Sequence, residues 1–310
     1  MAVNDSNTPR DPGGGPAPAA SSPSQSPSPS PAPSRRPDPT RVNRITFNEI
    51  VDALGLGMRD FRRAPVYGLF FGGVYALGGI LVLLSASALN MSYLSYPLAV
   101  GFGLIGPFIA VGLYEVSRRL ETGQRLDWPG VLGVIWEQRR RELAWMAFVV
   151  LFVQIMWMYQ VRLLLALFLG FQSFASFTAF LEVVVTTPEG LMFLLIGNVI
   201  GAALSVVLFS LTVVSFPMLL DREVDFITAM ITSVRSVVTS PVPMIGWALI
   251  VTVTLLISML PFFVGLVVTL PILGHATWHL YRRLVPAETA EAGPQSGPAA
   301  HSDAAPSGAD

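Results

Sequence analysis

Residues 96–120 read YPLAVGFGLIGPFIAVGLYEVSRRL, an apolar run with Pro107 near its middle and Arg118 and Arg119 at its end. A helix needs about 20 apolar residues to cross a hydrocarbon core, so this stretch predicts a membrane span that ends in water. The plan recurs at residues 270–284, LPILGHATWHLYRRL, where Pro271, Arg282 and Arg283 stand in the places of Pro107, Arg118 and Arg119. A repeated span of this kind makes the chain a membrane bundle.

Composition agrees. Of the 310 residues 52% are hydrophobic and 13% charged, outside the range of a soluble domain. The net charge of −1 supplies no field to attract nucleic acid, and no such partner is expected. The absence of cysteine excludes disulfides, thiolate metal sites and a thiol nucleophile. The first residues, MAVNDSNTPRDPGGG, lack the charged-then-apolar plan of a cleavable signal, so the first internal span is expected to direct insertion.

Residues 1–40 are dominated by Pro, Ser, Ala and Gly and hold too little apolar surface to offset the entropy of ordering. They are expected to form a disordered tail, and residues 286–310 a second one. Between them lies an integral membrane domain, 41–285. It opens with RITFNEIVDALGLGMRDFRR (44–63), an amphipathic helix with Phe47, Ile50, Leu54 and Phe61 on one side and Asp52, Arg59, Asp60 and Arg62 on the other. Thr46 with Glu49 gives a capping-box start, and Pro65 the stop.

Six spans are expected, at about 67–88, 94–116, 143–165, 190–214, 244–260 and 262–280. Amphipathic segments at 127–142 and 221–241 precede the second and third pairs. In the latter, Ala229, Arg235 and Pro241 follow Ala53, Arg59 and Pro65 at one constant offset. Residues 171–189 read as a loop with an interfacial helix. The fold class is therefore all-α: a polytopic bundle of six transmembrane helices in three hairpins, each preceded by an interfacial amphipathic helix. If 242–280 is one long helix the count is five, and Arg282 and Arg283 fall on the far side. With six spans, 18 of the 19 basic residues, all of them Arg, share one side with both termini, Arg162 being the exception. The positive-inside rule makes that side cytoplasmic and the location the cell membrane. Small residues such as Gly68, Gly72, Gly78 and Gly79 in the first span and Gly106 and Gly112 in the second suit close packing within the first hairpin.

Four motifs, RITFNEI, residues 96–123, FPMLLDREVDFITAMITSV (216–234) and residues 270–284, occur in an order that resembles the bacterial integral-membrane family catalogued as domain of unknown function 2189. The resemblance covers about 44–285 and implies a membrane protein without an assigned activity. Some members of that family are labelled as a cytochrome c oxidase subunit. A haem-copper core needs six histidines, and this chain has three.

His275 and His279, at i and i+4, share a helix face and are the candidate ligands for a metal or haem; the repeat puts Glu115 in the position of His279, as a third donor. The bland reading is a pair of polar residues near a water-facing end, and no cofactor is expected. Gln154, Gln160 and Asn198 lie inside spans, where polar groups are costly. They either line a substrate path or act as interhelical glue, and the second reading is favoured. Pro107 and Pro271 are matched interruptions of the sort found at transporter sites, or kinks that improve packing. Arg118, Arg119, Asp221, Arg222, Arg282 and Arg283 form a cytoplasmic docking surface, or serve as topology signals that contact head groups. No P-loop, dinucleotide fingerprint, HExxH or GxSxG occurs, so nothing speaks for catalysis. The favoured function is a non-catalytic membrane scaffold or assembly factor whose partners are the bilayer and other membrane proteins or further copies of itself. The alternative is a transporter or channel for a small or lipid-like solute, and a cofactor-binding oxidoreductase ranks third.

Overall fold

The computed structural model describes residues 41–87, 92–136, 140–170 and 176–286. The two tail readings therefore lie outside the described residues, Pro286 apart. Among the described residues every regular element is a helix. The first half consists of α1 (Phe47–Arg63), α2 (Pro65–Ser87), α3 (Ser92–Thr122) and α4 (Trp128–Trp136). Next come α5 (Arg140–Leu169), α6 (Phe177–Thr186), α7 (Pro188–Thr212) and α8 (Ser215–Asp221). The chain closes with α9 (Phe226–Thr239), α10 (Pro241–Met259) and α11 (Leu266–Leu284).

Local chemistry sets these boundaries. Glu49 Oε2 accepts from the Thr46 backbone N–H at 2.7 Å and from its hydroxyl at 2.9 Å, which starts α1. Asp127 accepts from the Gly130 N–H at 3.1 Å ahead of α4, Ser176 caps α6, and Asp225 caps α9. Pro65, Pro188 and Pro241 each open a helix, where the missing N–H costs nothing. The two α-to-α junctions at Pro65 and Pro241 share a backbone form: φ/ψ is −131°/54° at Ala64 and −134°/63° at Ser240. Each of these residues donates its N–H to the carbonyl four residues back, at Asp60 and Ser236. The repeat seen in residue types is thus also a repeat of conformation.

Four helices are long and apolar enough to cross a membrane: Pro65–Ser85, Glu142–Leu169, Pro188–Asp221 and Pro241–Met259. They coincide with four of the six expected spans. The expected 94–116 span lies within α3, and most side chains of its first half fall outside the described residues. The expected 262–280 span straddles a turn: α10 stops at Met259, Phe262 and Phe263 take φ of 51° and 66°, and α11 starts at Leu266. Residues 242–280 are accordingly two helices with Pro261 in the turn, which corrects the single long helix of the five-span alternative. The second half of α11 carries His275, His279, Arg282 and Arg283, too polar for α11 to count among the apolar helices.

α1 and α2 together run antiparallel along α11. Gly57 lies against the backbone at Ile272 and Ala276, Gly68 against Pro271, Gly72 against Val267 and Gly79 against the Phe263 ring. Gly68 and Gly72 therefore pack on α11, not on α3 as the hairpin reading expects. Pro271 has no N–H, so it leaves the Val267 carbonyl without its helical donor. Gly72 brings its backbone onto that carbonyl, where a Cβ would collide with it. The same close approach reshapes α1. Its buried stripe is Ile50, Ala53, Gly57 and Asp60, and Phe47, expected on the apolar side, is half exposed at 49%.

α3 lies antiparallel to α2, with Phe102 near Gly78 and Phe71 filling the space at Gly112. α5 and α7 form a different kind of pair. In α5, Leu143, Met146 and Ala147 are buried, and none of the described residues after them is until Leu164, which reaches α7 near Gly197. In α7 only Gly190 is buried. The pair joins the other helices through α3, α8, α9 and α10 and a 3.0 Å bond from the Phe226 N–H to Glu142, and α6 packs on the start of α7 at Gly190.

Gly72→Ala should lower the unfolding temperature in detergent by the equivalent of about 1–3 kcal/mol, the usual cost of overpacking. Gly73→Ala, one residue on and with nothing within 4 Å, should be neutral or slightly stabilising through helix propensity. Thermal unfolding of both variants checks the pair.

Candidate functional site

The polar residues of this chain gather where the ends of α1, α3, α8 and α11 meet. At the centre, His275 is fully buried and its Nδ1 lies 2.8 Å from Oγ of Ser117, which is also fully buried. Its Nε2 has no hydrogen-bond partner among the described residues. One turn further along α11, His279 Nε2 lies 2.6 Å from Asp60 Oδ2. Asp60 is 2% exposed, which corrects its expected place on the polar face of α1. Burial raises the Asp60 carboxyl, but the His279 hydrogen bond and the charges of the two imidazoles outweigh it and hold the pKa below the ordinary carboxylate value.

The two histidines share a face, yet they serve different helices, His275 reaching α3 and His279 reaching α1. Glu115 is not a third donor beside them. It is fully buried, and its oxygens accept from Arg118 at 2.7 and 3.0 Å and from Arg119 at 2.7 Å. The i+3 and i+4 spacing delivers both guanidiniums to it. Among the described residues no group of three or more His, Asp or Glu is arranged to hold a metal ion.

The other charged candidates are turned inward as well. Arg119 also reaches Asp127 at 2.8 Å. Arg282 bridges Glu121 at 3.1 Å and Asp221 at 3.2 Å; Trp278 Nε1 donates to Glu121 and the Tyr281 hydroxyl to Asp221, at 2.9 and 2.7 Å. Arg283 donates to the Glu49 carbonyl at 2.9 Å and to Asp52 at 3.3 Å, and Arg222 donates to the Pro286 carbonyl. The outer pairs are partly solvated and contribute little each; the Asp60–His279 and Glu115 contacts, removed from water, are the costly ones to break.

The three amides do not share a path. Gln154 lines a cavity of about 180 Å³ with Trp157, Gly201 and Ser205. Asn198 lines a separate one of about 160 Å³ with Trp157, Val161 and Gly197, and donates to the Leu194 carbonyl of its own helix at 2.7 Å. Gln160 is half-buried and lines neither, and Arg162 is exposed. A third cavity, of about 200 Å³, lies between α3, α10 and α11. It is lined by Gly106 and Leu270, the chain neighbours of Pro107 and Pro271; Pro271 itself lies against Gly68.

Asp60, Ser117 and Glu121 escaped the sequence reading. The signal for Asp60 was its place three residues beyond Gly57 on the small-residue stripe. Ser117 and Glu121 follow the helical period of α3 after Leu113.

Asp60→Ala leaves His279 unpaired and should cost on the order of 3 kcal/mol. Since the folded-state pKa of Asp60 is depressed, its contribution is present above the unfolded value of about 3.9 and disappears as pH falls through the folded value. Thermal unfolding between pH 7 and 3 should therefore show an acid loss of stability that is shallower in Asp60→Asn than in the native chain.

Comparison with curated proteins and with solved structures found no match. Residues 95–221, from α3 to the end of α8, match the model of a family described as a predicted integral membrane protein, DUF2189. The chain is an integral membrane protein with several apolar helices, and it is similar to that family over α3 to α8.

Proposed function

We propose that this chain is a non-catalytic scaffold or assembly factor of the bacterial cytoplasmic membrane. In this reading six helices cross the bilayer as three hairpins, and both termini are cytoplasmic. The antiparallel contacts of α3 with α2, and of α11 with α2, support α3 and α11 as returning legs. The arginines at the polar end support the orientation. The observation that carries the function is the α5–α7 pair. Between Ala147 and Leu164 no side chain of α5 is buried, and the apolar side chains of that helix, among them Phe148, Phe152, Tyr159, Leu163 and Leu167, are uncovered by the rest of the chain. The polar end, meanwhile, is tied together by its own ion pairs. A rigid base with a projecting helix pair suits contact with a membrane partner through packing. Transport of a lipid-like solute is the second reading, favoured by the cavity that adjoins both proline positions.

Native gels of mildly solubilised membranes separate the two. A scaffold runs with a partner at fixed stoichiometry, and Phe152→Ala with Tyr159→Ala releases that partner while the unfolding temperature stays unchanged. A chain that runs as a lone copy, or a complex indifferent to these substitutions, rejects the scaffold. Gln154→Ala, Gln160→Ala and Asn198→Ala together should reduce stability alone; lost solute flux with the fold intact would establish transport.

A further inference from the structure

We infer that the cavity between α3, α10 and α11 is a binding site for one acyl chain of a bilayer lipid, with the carbonyl oxygen at the head of that chain hydrogen-bonded to the Tyr114 hydroxyl. The inference goes beyond both functional readings and holds under either.

Its walls are apolar: Ile109 and Leu113 from α3, Val251 and Leu255 from α10, with Leu270 and Leu273 of α11 as the floor. Among the described residues no charged one lines it. α3 and α10 each pack on neighbouring helices but scarcely touch one another, so the seam between them stays open to the side. Ile105 on one lip and Val253 and Leu256 near the other are exposed, in α3 and in a helix apolar enough to cross the bilayer. The opening therefore faces hydrocarbon. At about 200 Å³ the space is several times the ~30 Å³ share of one water, yet below the roughly 300–1,000 Å³ of sites for drug-sized ligands. A linear chain fits such a space; a folded peptide segment or a ring system the size of haem does not.

One hydroxyl specifies the polar end of the ligand, and a second lies about 12 Å further down the groove. Tyr114 is 7% exposed and lines the cavity, and its hydroxyl has no hydrogen-bond partner among the described residues. Tyr75, also in the lining, has none either, and its hydroxyl stands at Gly106, where a Cβ would come within 3.4 Å of it. A buried phenol normally finds a partner, and an unmade bond in an apolar site is costly. Thr277 cannot serve as a donor, because its hydroxyl already donates to the Leu273 carbonyl at 2.7 Å. The phenol hydroxyl is a neutral donor in a lining whose described residues include no carboxylate, which suits an ester or carboxyl oxygen better than a charged amine. From Gly106 to Tyr114 the helix rises about 12 Å, enough for a stretch of chain to lie along the groove below its carbonyl.

The test uses the full chain in mild detergent, analysed by native mass spectrometry and titrated with oleate and with dioleoyl phosphatidylglycerol. The expected result is one retained acyl lipid per chain, whose mass tells a phospholipid from a free fatty acid. Tyr114→Phe should weaken retention about tenfold, the equivalent of one hydrogen bond. Ala110→Phe, which fills the cavity, should abolish it, and Ala202→Phe on the exposed face of α7 should leave it unchanged. Should Ala110→Phe fail to fold, Tyr114→Phe alone decides. Equal retention in Tyr114→Phe and the native chain, a native chain that keeps no lipid, or a second copy of the chain in place of lipid would each overturn the inference.

Discussion

Gly57 lets the backbone of α1 lie on the backbone of α11 at Ile272 and Ala276, and the rest of the polar end depends on that approach. With any side chain there, α1 would stand off and Asp60 could not reach His279 at 2.6 Å. Through α11 the same contact fixes α3, because His275 meets Ser117 and Trp278 meets Glu121 only while α11 is held from its other side. The approach continues into α2, where Gly72 meets the carbonyl that Pro271 leaves free. A proline in one helix and a glycine in another are thus two parts of a single contact, and the matched prolines of the sequence have a packing role at Pro271 that needs no substrate.

The repeat has diverged in how its charges are satisfied. In the first unit, Glu115 takes both Arg118 and Arg119 from its own helix. In the second, His279 stands in the corresponding place and accepts nothing from Arg282 or Arg283. These reach instead to Glu121, Asp221 and Asp52, on other elements. In the first unit the arginines are satisfied nearby in the chain, by Glu115 and Asp127, whereas in the second they cross to other helices.

What was legible in the sequence follows from how local the cause is. The boundaries at Pro65 and Pro241 depend on a few neighbouring residues, and they stand where the sequence places them. The Asp60–His279 and Ser117–His275 contacts join positions 219 and 158 residues apart, and neither residue type nor spacing within α1 or α3 announces them. Asp60 was placed on the polar face for a sound reason, since an aspartate is rarely buried without a partner; the partner lay near the other end of the chain. Glu115 was linked to His279 through the repeat, whereas its own i+3 and i+4 arginines had the shorter path.

The amides of the α5–α7 pair show why a polar residue inside a span is weak evidence for a path. The Trp157 indole lines both the Gln154 and the Asn198 cavity and packs on Gly201 at 2.7 Å from where a Cβ would sit. Gly201 therefore admits the ring, and the ring separates the two amides. Asn198 is further occupied by the Leu194 carbonyl of its own helix, which lowers its cost in hydrocarbon without any second helix. A solute moving along this pair would have to displace the indole and exchange an intrahelical bond at once. The α3–α10 seam asks for neither, since its walls are apolar and its free hydroxyls have nothing to give up.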